Sequence, residues 1–217
     1  MRSLVAAHPS VEPHLDARTG AQRARLLEGM VQAVAEKGYA AATVSDAVRI
    51  ARVSRGTFYA LFASKEACFL EAYRHGVDVL VERIERAVRE EGGDWRARLR
   101  AGLRTYLEGL AAEPRFARTW LMEIHCAGAA AQAERDATLR RFAERYRSSF
   151  AAAIADDGAL AMPSDDALFV LAGGVDQLVC AHVREGALNE LPSLTESLLS
   201  CAVAQLAGTA TTERGAD

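Results

Sequence analysis

The chain has 217 residues, half of them hydrophobic and a quarter charged, with a formal net charge of -3. That length allows one or two domains with a sizeable core, and the composition excludes a disordered, collagen-like or disulfide-stapled chain. Cys68, Cys126, Cys180 and Cys201 stand far apart with no C-x-x-C pair, and no apolar run approaches the roughly 18 residues of a membrane span. No metal, cofactor or membrane is therefore expected, and a reducing cytoplasm is the expected location.

Alanine, leucine, arginine and glutamate dominate and nothing alternates with period two for long, so an all-α chain of about nine helices is expected. Residues 1–19, with Pro9 and Pro13, read as a flexible tail that could also serve as a minor-groove arm. A first helix is expected over 21–37, with Leu26, Leu27, Met30, Val31 and Val34 on one face and Gly38 as its left-handed end. Thr43 opens a short second helix, and Asp46 stands where it completes a capping box. Ser54 caps a third short helix holding Arg55, Gly56, Thr57, Phe58 and Tyr59, and Ser64 starts a fourth that continues to about Glu91.

Gly92-Gly93 breaks that helix, and Asp94 caps a fifth with the stripe Leu99, Leu103, Tyr106, Leu107 and Leu110. Pro114 suits the first turn of a sixth carrying Phe116, Trp120, Met122 and Ile124. A seventh holds Leu139, Phe142, Ala143, Tyr146 and Phe150, and Asp157-Gly158 and Pro163 mark the next break. The eighth helix covers about 164–185, Gly186 ends it, and Pro192 introduces a ninth with Leu194, Leu198, Leu199, Val203 and Leu206.

Residues 43–65 carry the functional signal. Two capped helices are separated by the short turn Arg52 to Ser54, the layout of a helix-turn-helix whose second helix enters the major groove by its leading end. Arg55 can donate a bidentate pair to guanine, Ser54 and Thr57 are short donors, Gly56 lets the backbone come close, and Tyr59 offers a hydroxyl to phosphate. Lys65, with backbone amides at a helix N-terminus, is a natural phosphate seat. Residues 20–65 hold seven basic against three acidic side chains, a basic head on an otherwise acidic chain.

This stretch resembles the tetracycline-repressor (TetR) family of bacterial regulators. The resemblance rests on Glu36-Lys37-Gly38-Tyr39, Thr43-Val44, Val53-Ser54-Arg55-Gly56-Thr57-Phe58-Tyr59, Phe62 and Ser64-Lys65-Glu66, over about 45 residues. By position it implicates Thr43, Ser45, Arg55, Gly56, Thr57, Tyr59 and Lys65 in DNA contact. Two departures stand out. Arg52 occupies the bend where the family usually has glycine, and a non-glycine residue at positive φ costs on the order of 1 kcal/mol. Either that strain is accepted, or the turn differs and Arg52 adds a phosphate contact. Ala60-Leu61 replaces a pair that is often polar or aromatic, so a contact often made from there does not carry over.

The resemblance further implies a C-terminal helical domain that dimerises through its last two helices and often encloses a small hydrophobic effector. The residues lend their own support. The eighth helix is apolar over much of its circumference, and Gly173-Gly174 in its middle suits a close approach of another helix. Gly173, Gly174, Leu178, Leu194 and Leu198 are thus candidates for the dimer interface. Tyr106, Trp120, Phe142 and Tyr146 could wall a pocket, with Glu123, Asp176 and Gln177 as polar anchors; Phe150, His125 and His182 are further candidates.

The resulting expectation divides the chain into a tail (1–19), a helix-turn-helix DNA-binding domain (20–66), a helical effector and dimerisation domain (67–208) and a frayed tail (209–217). The function expected is a sequence-specific homodimeric regulator, a repressor released from double-stranded operator DNA by an effector. The alternatives are an effector-independent regulator or organiser, and a helical carrier or enzyme with a disabled helix-turn-helix. No glycine-rich phosphate loop or nucleophile elbow supports an enzyme.

Overall fold

The computed structural model describes residues 17–212 except positions 157 and 159. Among the described residues the chain forms nine α-helices and no strand. They are α1 (Ala17–Lys37), α2 (Val44–Ala51), α3 (Arg55–Leu61), α4 (Lys65–Glu90), α5 (Trp95–Ala112), α6 (Pro114–Leu121), α7 (Ala129–Asp156), α8 (Asp165–Arg184) and α9 (Thr195–Thr212). Two short 3-10 segments, Glu123–Cys126 and Leu188–Leu194, precede α7 and α9. The tails expected at 1–16 and 213–217, and Asp157, lie outside the described residues.

Local chemistry sets most of the helix ends. The Asp94 carboxylate accepts the Ala97 N–H at 2.9 Å, and the hydroxyls of Ser64 and Ser164 accept those of Ala67 and Ala167 at 3.0 and 3.2 Å. Gly38 (φ +78°) and Gly186 (φ +77°) supply the left-handed residues after α1 and α8. Three boundaries differ from expectation. α1 starts at Ala17, inside the stretch read as tail, because alanine and arginine need no cap to remain helical. α6 stops at Leu121, so Met122 and Ile124 fall in the tighter turn that follows. Pro192 sits inside a 3-10 segment rather than at the head of α9, which runs on to Thr212 into the expected tail.

The described chain forms two compact units. One contains residues up to Val81 together with Glu113–Arg135; the other contains Glu82–Ala112 and residues from Asp136 onward. The division falls within α4 and α7 rather than at residue 66, so α6 and its 3-10 turn belong with the helix-turn-helix. In that first unit Leu26, Met30, Val34, Ala47, Phe58 and Phe69 are buried. A Cβ on Gly29 would lie 2.7 Å from the Ala47 carbonyl oxygen, so α1 and α2 meet at backbone contact and only glycine fits. Phe116 of α6 is also buried there and seals against Gly76 of α4.

The second unit is built on Leu107 and Leu110 of α5, Phe150 of α7, Leu168 and Val179 of α8, and Leu198 and Leu206 of α9, all buried. Trp95 meets Phe150 edge-on at 6.5 Å. α8 has the length and composition of a membrane span, which the sequence was not expected to contain. Leu168, Val175, Asp176 and Val179 are buried in this unit, so α8 serves as a core helix.

Candidate nucleic-acid interface

The helix-turn-helix begins with a reciprocal cap. The Asp46 N–H donates to the Thr43 hydroxyl at 3.2 Å, and the Thr43 N–H donates back to the Asp46 carboxylate at 3.1 Å. Lys37 adds an ion pair to Asp46 at 2.6 Å. The Lys37 ammonium and the Thr43 hydroxyl hold the Asp46 carboxyl down to about 2. Thr43 and Ser45 are exposed, but the Thr43 hydroxyl is already engaged in this cap.

α2 ends in a Schellman turn. The Arg52 N–H bonds the Arg49 carbonyl at 3.4 Å and the Val53 N–H bonds the Val48 carbonyl at 3.1 Å. Arg52 itself stands at φ 54°, ψ 47°, the one non-glycine residue at positive φ among those described. The turn therefore keeps the left-handed geometry that glycine usually supplies, and arginine carries the strain of on the order of 1 kcal/mol.

α3 is anchored by one face and open on the other. Phe58 is fully buried and packs on Phe62 with ring centroids 5.6 Å apart, while Arg23 stacks over Phe62 and forms a bidentate pair with Glu71. The Thr57 N–H and hydroxyl both meet the Ser54 hydroxyl at 2.9 Å. Ser54 is thus occupied as a cap, and Thr57 is half-buried. Arg55 and Gly56 are exposed, and Tyr59 exposes 54 % of its surface although it is a large aromatic. Arg49, Arg52 and Arg55 make no ion pair among the described residues.

Lys65 plays a part the sequence did not disclose. Its ammonium donates to the carbonyls of Tyr39 and Ala42 at 2.8 and 3.1 Å and lies 4.1 Å from the Tyr39 ring centroid. It ties the start of α4 to the corner between α1 and α2. Glu123 holds the same corner, its carboxylate accepting the Tyr39 N–H at 2.7 Å. Both partners lie tens of residues away in sequence, so no local pattern announces either bond.

Two of the residues expected to line a pocket, Trp120 and Glu123, belong to the first unit. Trp120 stacks on Phe116 at 5.6 Å, and Glu123 is spent on Tyr39. In the second unit Tyr106 and Phe142 pack at 5.6 Å, and Tyr146 is buried, its phenol pushed up by desolvation. Asp176 is buried and accepts a weak bond from the Cys180 thiol at 3.7 Å, whereas Gln177 is exposed and anchors nothing inside. Among the described residues no cluster of His, Cys, Asp and Glu could hold a metal ion.

The expected dimer residues divide in the same way. Gly174 and Leu178 are exposed, Gly173 and Leu194 are half-buried, and a Cβ on either glycine would meet nothing of its own chain within 4 Å. Leu198 is 4 % exposed and packs inside its own unit, which removes it as an interface residue. Val170, 69 % exposed, was missed; it lies one and two helical turns from Gly174 and Leu178 on the same side of α8.

Residues 26–72 match the family model for bacterial regulatory proteins of the tetR family. No curated protein matches the chain. Among solved structures, the fatty acid degradation regulator FadR from Bacillus halodurans is 20 % identical over 82 % of this chain and 96 % of its own, with a TM-score of 0.72. FadR from Bacillus subtilis, in complex with stearoyl-CoA, is 19 % identical over 83 % and 97 %, with a TM-score of 0.74. A regulatory protein of the tetR family from Rhodococcus RHA1 is 17 % identical over 85 % and 96 %, with a TM-score of 0.66. The chain thus carries the helix-turn-helix head of the tetR family of bacterial regulatory proteins, on a TetR-like all-α fold.

Proposed function

We propose that this protein is a cytoplasmic, homodimeric repressor that binds a palindromic operator through α3 and leaves it when a small hydrophobic effector enters the second unit. One observation carries the DNA-binding reading. Arg55, Gly56 and Tyr59 stand outward on a helix whose cap and aromatic anchor are supplied by other residues, Ser54, Phe58 and Phe62. Nothing inside the protein consumes the Arg55 guanidinium, which suits bidentate recognition of guanine.

The exposed apolar stripe Val170, Gly174 and Leu178 supports a dimer, because such a stripe gains from being covered by another chain. Tyr106, Phe142 and Tyr146 with the buried Asp176 support an apolar effector site having a single polar anchor. The stearoyl-CoA held by the Bacillus subtilis protein makes acyl-CoA thioesters the first effectors to try. In this reading effector binding alters the spacing of the two recognition helices, which must reach major grooves about one helical turn apart. The coupling is limited by the effector's differential affinity for the two states.

Footprinting on genomic fragments, followed by titration of acyl-CoAs into the complex, tests this reading. A short palindromic footprint released by one chain length is expected. A footprint indifferent to every effector would leave an effector-independent regulator, and a diffuse one an organiser. Absence of duplex binding at low salt would favour a carrier with a disabled helix-turn-helix. Arg55→Ala should relax specificity at one base pair by about 1–3 kcal/mol.

A further inference from the structure

We infer that Arg52, in the turn between α2 and α3, is a phosphate anchor that seats the recognition helix. The inference rests on the DNA-binding reading above and assigns to that interface a residue outside the positions the family motif implicates.

Three observations converge on Arg52. The first is conformational. The Schellman turn that ends α2 fixes residue 52 in the left-handed region, and Arg52 is the only non-glycine residue so placed among those described. Every other positive-φ position described is glycine, namely Gly38, Gly93, Gly128 and Gly186. A strained backbone held by its surroundings is a reason to look for a functional task at that side chain. The second is chemical. The side chain is exposed and makes no hydrogen bond or ion pair among the described residues, so no internal contact accounts for the choice of arginine. This contrasts with Lys65, whose ammonium is held by two carbonyls, and with Arg23, which is paired to Glu71.

The third is position. Ser54, the cap of α3, is two residues on, so its Cα lies at most about 7.6 Å from that of Arg52. When the leading end of α3 enters a major groove about 12 Å wide, phosphates border it on both sides. A guanidinium starting from residue 52 is within reach of one of them. Arg49, one turn earlier in α2 and also without an ion pair, adds to the same positive field. A phosphate, not a base, is the expected partner. The turn precedes the helix that enters the groove, and backbone contacts are what fix the register of such a helix.

The experiment measures duplex affinity by fluorescence anisotropy between 50 and 200 mM salt for wild type, Arg52→Asn and Arg52→Lys. Asparagine adopts the left-handed conformation readily, so Arg52→Asn removes the charge while keeping the turn. Each phosphate contact contributes about 0.9 to the log–log salt slope, so Arg52→Asn should flatten the slope by that amount. Its affinity deficit against wild type should shrink about 3.5-fold as salt rises fourfold, equally on operator and unrelated duplex. Arg52→Lys should keep the wild-type slope. A wild-type slope in Arg52→Asn, an equal loss of slope in Arg52→Lys, or a loss confined to the operator would each overturn the anchor while leaving the DNA-binding reading intact. If wild type itself retains no duplex at 50 mM salt, the reading and the anchor fall together.

Discussion

The Glu123 carboxylate accepts the backbone N–H of Tyr39 at 2.7 Å, joining residues 84 positions apart. The carbonyl of the same Tyr39 accepts from Lys65. The residue at the corner between α1 and α2 is therefore held on its N–H by the turn after α6 and on its C=O by the start of α4. α2 and α3 follow directly from that corner, so their placement within the first unit depends on both bonds. Glu123→Ala leaves the Tyr39 N–H without its charged acceptor. Hydrogen bonds to charged groups contribute about 1.5–3 kcal/mol when buried, and about 1 kcal/mol is expected for this half-buried pair. The melting temperature should fall by about 2–4 °C. Operator affinity should fall as well, with the salt slope unchanged, because no phosphate contact is lost. Glu123→Gln, which keeps a neutral acceptor oxygen, should recover most of both. Wild-type melting in Glu123→Ala would remove the corner from the account.

Lys65 separates two explanations of a single loss. As a phosphate seat alone, its replacement would change DNA binding and leave stability untouched. With its ammonium on the Tyr39 and Ala42 carbonyls and against the Tyr39 ring, Lys65→Met should cost stability too, by about 1–2 kcal/mol. Thermal melting without DNA checks this. An unchanged melt together with a salt slope lower by about 0.9 would return Lys65 to a purely electrostatic role.

Asp46 makes the head sensitive to acid. Its carboxyl, ordinarily at 3.8, is held at about 2 by the Lys37 ammonium and the Thr43 hydroxyl. A group whose folded value lies below its unfolded one contributes stability that is fully present above the unfolded value and is lost as pH falls through the folded one. The window is therefore pH 4 down to 2. Asp46→Asn should melt below wild type by a constant margin above pH 5, and the two curves should converge as pH approaches 2. A margin that persists undiminished at pH 2 would show that Asp46 contributes by shape and not by charge.

These features differ in how far the sequence discloses them. The caps at Thr43, Ser54, Asp94 and Ser164 were legible because donor and acceptor lie three residues apart, and Gly38 was legible because it directly follows its helix. The outward face of α3 followed from those caps together with the aromatic spacing of Phe58 and Phe62. Trp120 and Glu123 were misassigned to the effector pocket because unit membership is decided by packing across long stretches of chain, and Glu123 finds its partner only in the folded head. Gln177 and Leu198 show the same limit within single helices. On helices apolar nearly all round, composition does not say which side faces inward, so Leu198 was taken as outward and Val170 was overlooked.

Gly76 had no apparent role in the sequence because its reason lies in Phe116. A Cβ there would sit 2.0 Å from the Phe116 ring, far inside contact distance, and Phe116 is itself buried. Gly76→Ala should destabilise the protein by about 1–3 kcal/mol through overpacking. Gly76→Ala combined with Phe116→Leu should recover part of that loss, which chemical denaturation of the single and double variants would measure. Strict additivity of the two changes would mean that the ring and the helix do not compete for the same space.

The exposed face of α8 yields the last expectation. Of the described residues only Tyr59, Val170 and Leu178 are large hydrophobics standing in solvent, and two of the three lie on this helix with Gly174 between them. Four-residue steps put all three α8 positions on one side, and glycine at the middle position lets a second backbone approach closely. A charge at either flank would then be desolvated in a dimer but harmless in a monomer. Val170→Asp and Leu178→Asp should each shift micromolar protein toward monomer in analytical ultracentrifugation with no loss of helical signal. Operator affinity should drop by more than tenfold, because one head alone grips only a half-site. Glu190, exposed outside this stripe, provides the control position, and Glu190→Lys should remain dimeric. Unaltered sedimentation of both aspartate variants would place the partner's contact elsewhere on the protein.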